Sequence, residues 1–107
     1  MLEALKEQGE EIQKKIQMIE SIIALQEKFG SMEYDFVARR SFAASSTVEE
    51  RQTILNGLIF EEIVQETLVD DRMLLSIDPE SEALNDFWDW LDEMNENLNQ
   101  IGQEKAT

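Results

Sequence analysis

The chain has 107 residues, a length that suits one domain with one hydrophobic core. It carries 24 acidic and 9 basic side chains, a formal net charge of −15, and has no Cys and no His. The missing Cys excludes disulfides and thiol nucleophiles, and the missing His removes the commonest general base and transition-metal ligand. The charge disfavours nucleic-acid binding, because phosphate contacts need Lys and Arg. We therefore expect a protein without enzymatic activity, bound metal or cofactor.

Residues 2–29 are predicted to form one long helix with an apolar seam. A second apolar stripe, starting at residue 18, indicates that the second half of this helix has two buried faces. At 1.5 Å per residue the helix is ~42 Å long, which exceeds the other predicted helices and leaves the N-terminal part of the seam exposed. We therefore predict a homodimer that pairs, in parallel or antiparallel orientation, along this seam. The seam follows the 3,4 spacing of a coiled coil, is interrupted at Gly9 and Gln26, and comprises Leu2, Leu5, Ile12, Ile16, Ile19 and Ile23.

Three further helices are predicted over residues 32–44, 48–75 and 79–101. Thr47 precedes the second of these and, with Glu50, forms a capping box. The last begins at Asp78-Pro79, because Asp suits the N-cap and Pro the first helical position. No hairpin signal of the Asn-Gly or Asp-Gly type occurs, and no strand pattern competes. The predicted fold class is all-α: one domain over residues 1–102, a bundle of about four helices with a long coiled-coil-like first helix, followed by a disordered tail over 103–107.

Two tryptophans lie among carboxylates in the last predicted helix. Trp88 falls on the apolar stripe of that helix, whereas Trp90 lies off it. An aromatic ring beside carboxylates suits a cationic ligand or a basic partner, but packing in a small core explains the same residues. Core packing, a protein interface and a small-ligand pocket therefore stay open. The candidate ligand or partner surface consists of Trp88, Trp90, Asp86, Asp89 and Glu93.

One stretch of the first helix resembles a known family. The run Leu5-Lys-Glu-Gln-Gly-Glu-Glu-Ile-Gln-Lys-Lys-Ile-Gln-Met-Ile-Glu is similar to the dimerisation helix of MerR-type transcription regulators. The resemblance covers residues 2–30 and implies antiparallel pairing across a dimer, with a C-terminal effector domain after the helix. In the TipA-like branch that domain is helical and binds drug-like ligands. No basic helix-turn-helix precedes the helix here, so the resemblance implies the effector part of such a regulator.

The expected function is that of a non-enzymatic, dimeric helical domain with a regulatory, sensor or protein-interaction role. The alternative is a small acidic adaptor, inhibitor or chaperone that binds a basic or apolar protein surface, with a DNA mimic as a third option. Without a signal peptide or an apolar run of membrane-spanning length, we expect a cytoplasmic protein. The charge is uneven, with −2 on residues 1–30 and −8 on residues 76–107. This distribution favours pairing of the first helix and makes the last one the acidic face.

Overall fold

The computed structural model describes the backbone of residues 2–105 and the side chains of residues 9–94 and of Glu96. The described chain combines helices with a three-stranded antiparallel sheet, so the predicted all-α helical bundle is wrong. The elements, in chain order, are α1 (Leu2–Phe29), β1 (Met32–Glu33), α2 (Tyr34–Arg40), α3 (Val48–Phe60), β2 (Gln65–Val69), β3 (Arg72–Ser76) and α4 (Glu82–Lys105).

The sheet has the strand order β1-β3-β2, with β3 in the centre. Met32 of β1 lies opposite Leu75, and β2 pairs with β3 along its whole length, from Gln65 opposite Ser76 to Val69 opposite Arg72. The predicted helix over residues 48–75 is therefore wrong beyond Phe60. Asp70 and Asp71 form a two-residue turn in which both residues have left-handed backbone angles (φ 49° and 63°), as in a type I′ hairpin.

α3 ends in a Schellman motif, which is the physical reason that it does not continue. Glu62 has a φ of 65°, and its N–H donates to the carbonyl of Ile59 at 3.0 Å. The N–H of Ile63 donates to the carbonyl of Leu58 at 3.0 Å, and both of these side chains are buried. The turn thus satisfies the last carbonyls of the helix and redirects the chain into β2. At the other end, the hydroxyl of Thr47 accepts from the N–H of residue 50 at 3.1 Å, as the capping box predicts.

The predicted helix over residues 32–44 is also too long at both ends. Its first two residues form β1, because they pair with β3, and α2 stops at Arg40. The chain is extended at Ser41 and is then held by side chains of α1. Ser21 accepts from the N–H of Phe42 at 2.8 Å, and Gln17 accepts from the N–H of Ala44 at 2.7 Å. Residues 41–47 therefore follow the surface of α1 as a loop rather than extending the helix.

α4 begins three residues later than the predicted start at Pro79. The carboxylate of Asp78 accepts from the N–H of Glu80 at 2.9 Å and so stabilises a turn instead of the helix. The hydroxyl of Ser81, directly before the helix, accepts from the N–H of Leu84 at 3.3 Å. The helix extends to Lys105, into the predicted tail over 103–107, of which residues 106 and 107 lie outside the described part.

The core lies between the second half of α1, the helices α2 and α3, the face of the sheet that carries Leu75, and the start of α4. α1 contributes Met18, Ile19 and Ile22, all without measurable exposure. Their spacing gives the helix a broad apolar face, which agrees with the two stripes read from the sequence. In the described part of the chain, no helix has the length and apolar composition that crossing a membrane requires.

Gln26, which interrupts the predicted seam, contacts the chain just after β3. Its amide nitrogen donates to the carbonyl of Ile77 at 2.7 Å, and its amide oxygen accepts from the N–H of the same residue at 2.6 Å. The carboxamide thus pairs with both backbone polar groups of one residue, as a neighbouring strand would. The polar residue in the seam is therefore a specific link between the end of α1 and the segment before α4.

Candidate functional site

A shallow groove of about 570 Å³ lies where α1, the end of α3 and the start of α4 meet, and we call it the α4 groove. Its aromatic residues, Phe87 and Trp90, come from α4, and its charged residues come from all three helical segments. The lining side chains are Lys15, Glu61, Ile63, Ala83, Asp86, Phe87 and Trp90.

Lys15 forms one wall of the groove and is already paired. Its ammonium contacts both carboxylate oxygens of Glu61, at 2.7 and 2.8 Å, and lies 4.8 Å from the ring centroid of Phe87. Both charged side chains are partly exposed, so this pair contributes at most about 1 kcal/mol to stability. Its consequence for binding is larger, because the one cation of the groove is neutralised and the remaining charge, on Asp86, is negative.

The two tryptophans have different surroundings. Trp90 is 47% exposed and stacks on Phe87, with centroids 5.9 Å apart and an interplanar angle of 29°. Trp88 is partly buried and packs against the core, and its ring centroid lies 5.3 Å from that of Phe87. The structure therefore divides the predicted surface: Trp88 belongs to the core, and Trp90 is a half-exposed ring held in place by a buried one.

The predicted carboxylates lie on the exposed side of α4. Asp86, Asp89 and Glu93 are all exposed, and Asp86 also lines the groove beside Trp90. No Lys or Arg occurs in the sequence between Arg72 and Lys105, so this surface has no cation from its own helix before its last residue. Sequence reasoning missed Lys15 and Glu61, whose contact joins residues 46 positions apart and leaves no local signal.

Part of the predicted dimer seam is buried in the core of its own chain. Ile19 is fully buried within its own chain, and Ile16 and Ile23 are partly buried against the same core. Ile12 is also partly buried, but it does not belong to the core cluster. The side chains of Leu2 and Leu5 lie outside the described residues. Pairing through Ile19 competes with the chain's own core, so a dimer through the first half of the seam stays a prediction.

A second groove, of about 530 Å³, lies between α1 and α3, and we call it the α1–α3 groove. The ammonium of Lys14 and the carboxylate of Glu50 close one side at 3.0 Å, and Ile54 and Gly57 of α3 also line it. A Cβ atom built on Gly57 meets no atom within 4 Å. No described element makes the close approach that a glycine inside a helix permits, so the groove is open at this point.

Among the described residues, no three Asp or Glu side chains lie close enough together to hold a metal ion. Comparison with protein-family models, with curated proteins and with solved structures gives no match to this chain. The likeness of residues 2–30 to a MerR-type dimerisation helix therefore stays a prediction. The chemistry available at the α4 groove is that of aromatic faces, apolar walls and exposed carboxylates, which bind cationic groups rather than anions.

Proposed function

We propose that this chain is a non-enzymatic, cytoplasmic protein-interaction domain with a regulatory role, and that its α4 groove binds a basic segment of a partner protein. One observation carries the proposal: Trp90 is 47% exposed, stacked on Phe87, beside the exposed carboxylate of Asp86. Other rings of this chain are also exposed, Phe42 among them, but Trp90 lines a groove beside a carboxylate, and Trp is enriched among the residues that dominate binding energy.

The chemistry of the groove fits an Arg or Lys side chain. A guanidinium placed over the ring of Trp90 gains about 0.5–2 kcal/mol as a cation–π contact, depending on how far it is desolvated. The carboxylate of Asp86 then accepts a charge-assisted hydrogen bond from the same group. The further carboxylates of α4, at Asp89 and Glu93, add a negative field that speeds the encounter with a basic partner.

The proposal is tested with a labelled peptide that alternates Arg and Leu, compared with the same peptide carrying Glu for Arg. We expect the Arg peptide alone to bind, with an affinity that falls as salt is raised. Trp90→Ala should weaken its affinity about 5- to 30-fold, as loss of a contact of 1–2 kcal/mol does. Phe42→Ala is the matched control, because Phe42 is 60% exposed and lies in the 41–47 loop. Equal affinities for the Trp90 variant, the control and the wild type would overturn the proposal.

Self-association through the first half of α1 is a second candidate, because the α1–α3 groove is open along that half and Ile12, on the same half, is only partly buried. The occupant is a second copy of α1, and the near-neutral charge of residues 1–30 does not oppose pairing. Light scattering at micromolar concentration should then give the mass of a dimer, and Ile12→Lys should return it to a monomer. Val48→Lys, at a position that is 39% exposed on α3, controls for added charge. A wild-type monomer refutes this candidate.

A further inference from the structure

The outer edge of β2 is open. β2 is the last strand in the order β1-β3-β2, and no other described strand pairs with it. All five of its residues, Gln65–Val69, are exposed. Proteins usually protect such an edge with Lys, Pro or a β-bulge. β2 contains neither residue, and its pairing with β3 runs without a bulge from residue 65 to residue 69.

A groove of about 440 Å³ follows this edge, and we call it the edge groove. It lies between the end of α3 and β2 and is lined by Ile59, Glu62, Val64, Gln65, Glu66 and Thr67. The floor of the groove includes the partly buried Ile59 and the buried Val64, but most of its accessible surface is polar, and Glu62 and Glu66 line it. An added strand would place alternate side chains over this floor while its backbone pairs with β2.

The negative charge around the free edge of β2 favours a basic binding partner. The segment from residue 61 to residue 71 contains five carboxylates and no Lys or Arg. The guanidinium of the next residue, Arg72, lies 3.7 Å from the carboxylate of Glu33 on β1 and is thus directed away from this edge. An extended segment with Lys or Arg at alternate positions complements this surface, and an acidic one is repelled.

A second copy of β2 is disfavoured by the same charges. Antiparallel pairing centred on Thr67 places Asp70 opposite Val64 of the other copy, next to that copy's Glu62. The same diagonal approach of acidic side chains recurs on the other side of the two-fold axis. The Arg72 that this register places opposite Glu62 already lies 3.7 Å from Glu33 of its own chain. Each copy also brings the five carboxylates of residues 61–71 to the contact, and like charges on neighbouring strands repel.

We propose that the free edge of β2 binds an extended, basic segment of a partner protein, which adds to the sheet as a fourth strand. The inference rests on the basic partner proposed above, but it assigns a different surface and binding mode. Both grooves adjoin the turn at residues 61–64, because Glu61 and Ile63 line the α4 groove and Glu62 and Val64 line the edge groove.

The test uses a short peptide that alternates Lys and Val, together with the same peptide N-methylated at alternate amides. Methylation keeps the charge and the side chains but removes the backbone donors that pair with β2. We expect the methylated peptide to bind at least about tenfold more weakly, as loss of two backbone hydrogen bonds implies. Glu66→Lys should also weaken binding of the unmodified peptide, whereas Glu27→Lys, at an exposed position on α1, should leave it unchanged. Hydrogen exchange should slow at amides of residues 65–69 when the unmodified peptide is bound.

The outcomes separate the two proposals. If Trp90→Ala weakens binding and N-methylation does not, the α4 groove is supported and strand addition is overturned. If N-methylation weakens binding and Trp90→Ala does not, strand addition stands and the α4 groove proposal fails. If the peptide does not bind, strand addition is overturned as well. A chain that dimerises equally in the wild type and in Ile12→Lys, with slowed hydrogen exchange at the amides of residues 65–69, shows a second copy at this edge and also overturns it.

Discussion

The pairing between Gln26 and Ile77 gives the sharpest test of the fold. Gln26→Leu keeps the size of the side chain but leaves the N–H and the carbonyl of Ile77 without the two partners that lie at 2.6 and 2.7 Å. Ile77 is 1% exposed, so water has little access to either group. Each buried polar group left unsatisfied costs about 1–3 kcal/mol, and the added apolar surface of Leu returns about 1 kcal/mol. For the two groups together, the expected loss in the free energy of unfolding is therefore about 1–5 kcal/mol.

The assay is urea unfolding followed by circular dichroism. Domains of this size have unfolding free energies of about 5–15 kcal/mol, so the predicted loss is a large fraction of the total. With a slope of about 1–3 kcal/mol per molar urea, a loss near the middle of that range, about 3 kcal/mol, should lower the midpoint by roughly 1–3 M. Gln13→Leu is the matched control, because Gln13 is an exposed glutamine of the same helix, and it should change stability by less than about 0.5 kcal/mol. If the two variants have the same midpoint, the paired hydrogen bonds do not stabilise the fold and the reasoning is refuted.

Three further variants should have a higher thermal midpoint than the wild type. Glu62→Gly should stabilise the chain by about 1 kcal/mol, because glycine tolerates the φ of 65° at the end of α3; an unchanged or lower midpoint contradicts the Schellman motif there. Asp70→Asn with Asp71→Gly should add about 0.5–1 kcal/mol by matching the type I′ turn, and a loss of stability would count against the hairpin. Gly57→Ala should add about 1 kcal/mol through helix propensity, since its Cβ meets nothing within 4 Å; a destabilised variant would mean that this part of α3 is not an open helix.

The parts of the fold that the sequence predicts are those with strong local patterns. α1 spans the residues predicted for it, because its periodicity extends over many turns and Gly30, with a φ of 75°, ends it. The start of α3 follows from Thr47, whose hydroxyl makes the predicted cap. Both signals depend only on residues close together in the chain, so no tertiary contact is needed to find them.

The hairpin is hidden because its turn contains no glycine. The pair Asp70-Asp71 is equally consistent with a kink in a helix. Asp adopts the left-handed conformation here, but unlike Gly it does not mark such a turn in the sequence. Ile59 and Ile63, four positions apart, also continue a helical spacing past the end of α3, and the helix predicted over residues 48–75 includes Leu68. In the structure Leu68 is 65% exposed on β2, opposite Met73, so the apparent periodicity is coincidental. Helical spacing over short apolar runs does not exclude a strand.

The candidate site is predictable only in part, for a related reason. Trp90 and Asp86 are adjacent on one helix, and the sequence places them together. The opposite wall of the groove is the ion pair of Lys15 and Glu61. This pair forms only because α1 packs against the end of α3. Sequence spacing does not encode which of several exposed lysines meets which carboxylate, so only the structure reveals the neutralised cation.

The core combines residues from distant parts of the chain, which has a consequence for folding during synthesis. Met18 and Ile22 of α1 pack in the same cluster as Leu75 and Leu84, which lie much later in the chain. A growing chain therefore carries the apolar face of α1 uncovered until those residues have been made. At about 5–20 residues per second that interval lasts for several seconds, far longer than helix formation itself. During biosynthesis this apolar face is accessible to chaperones, and the finished fold covers it.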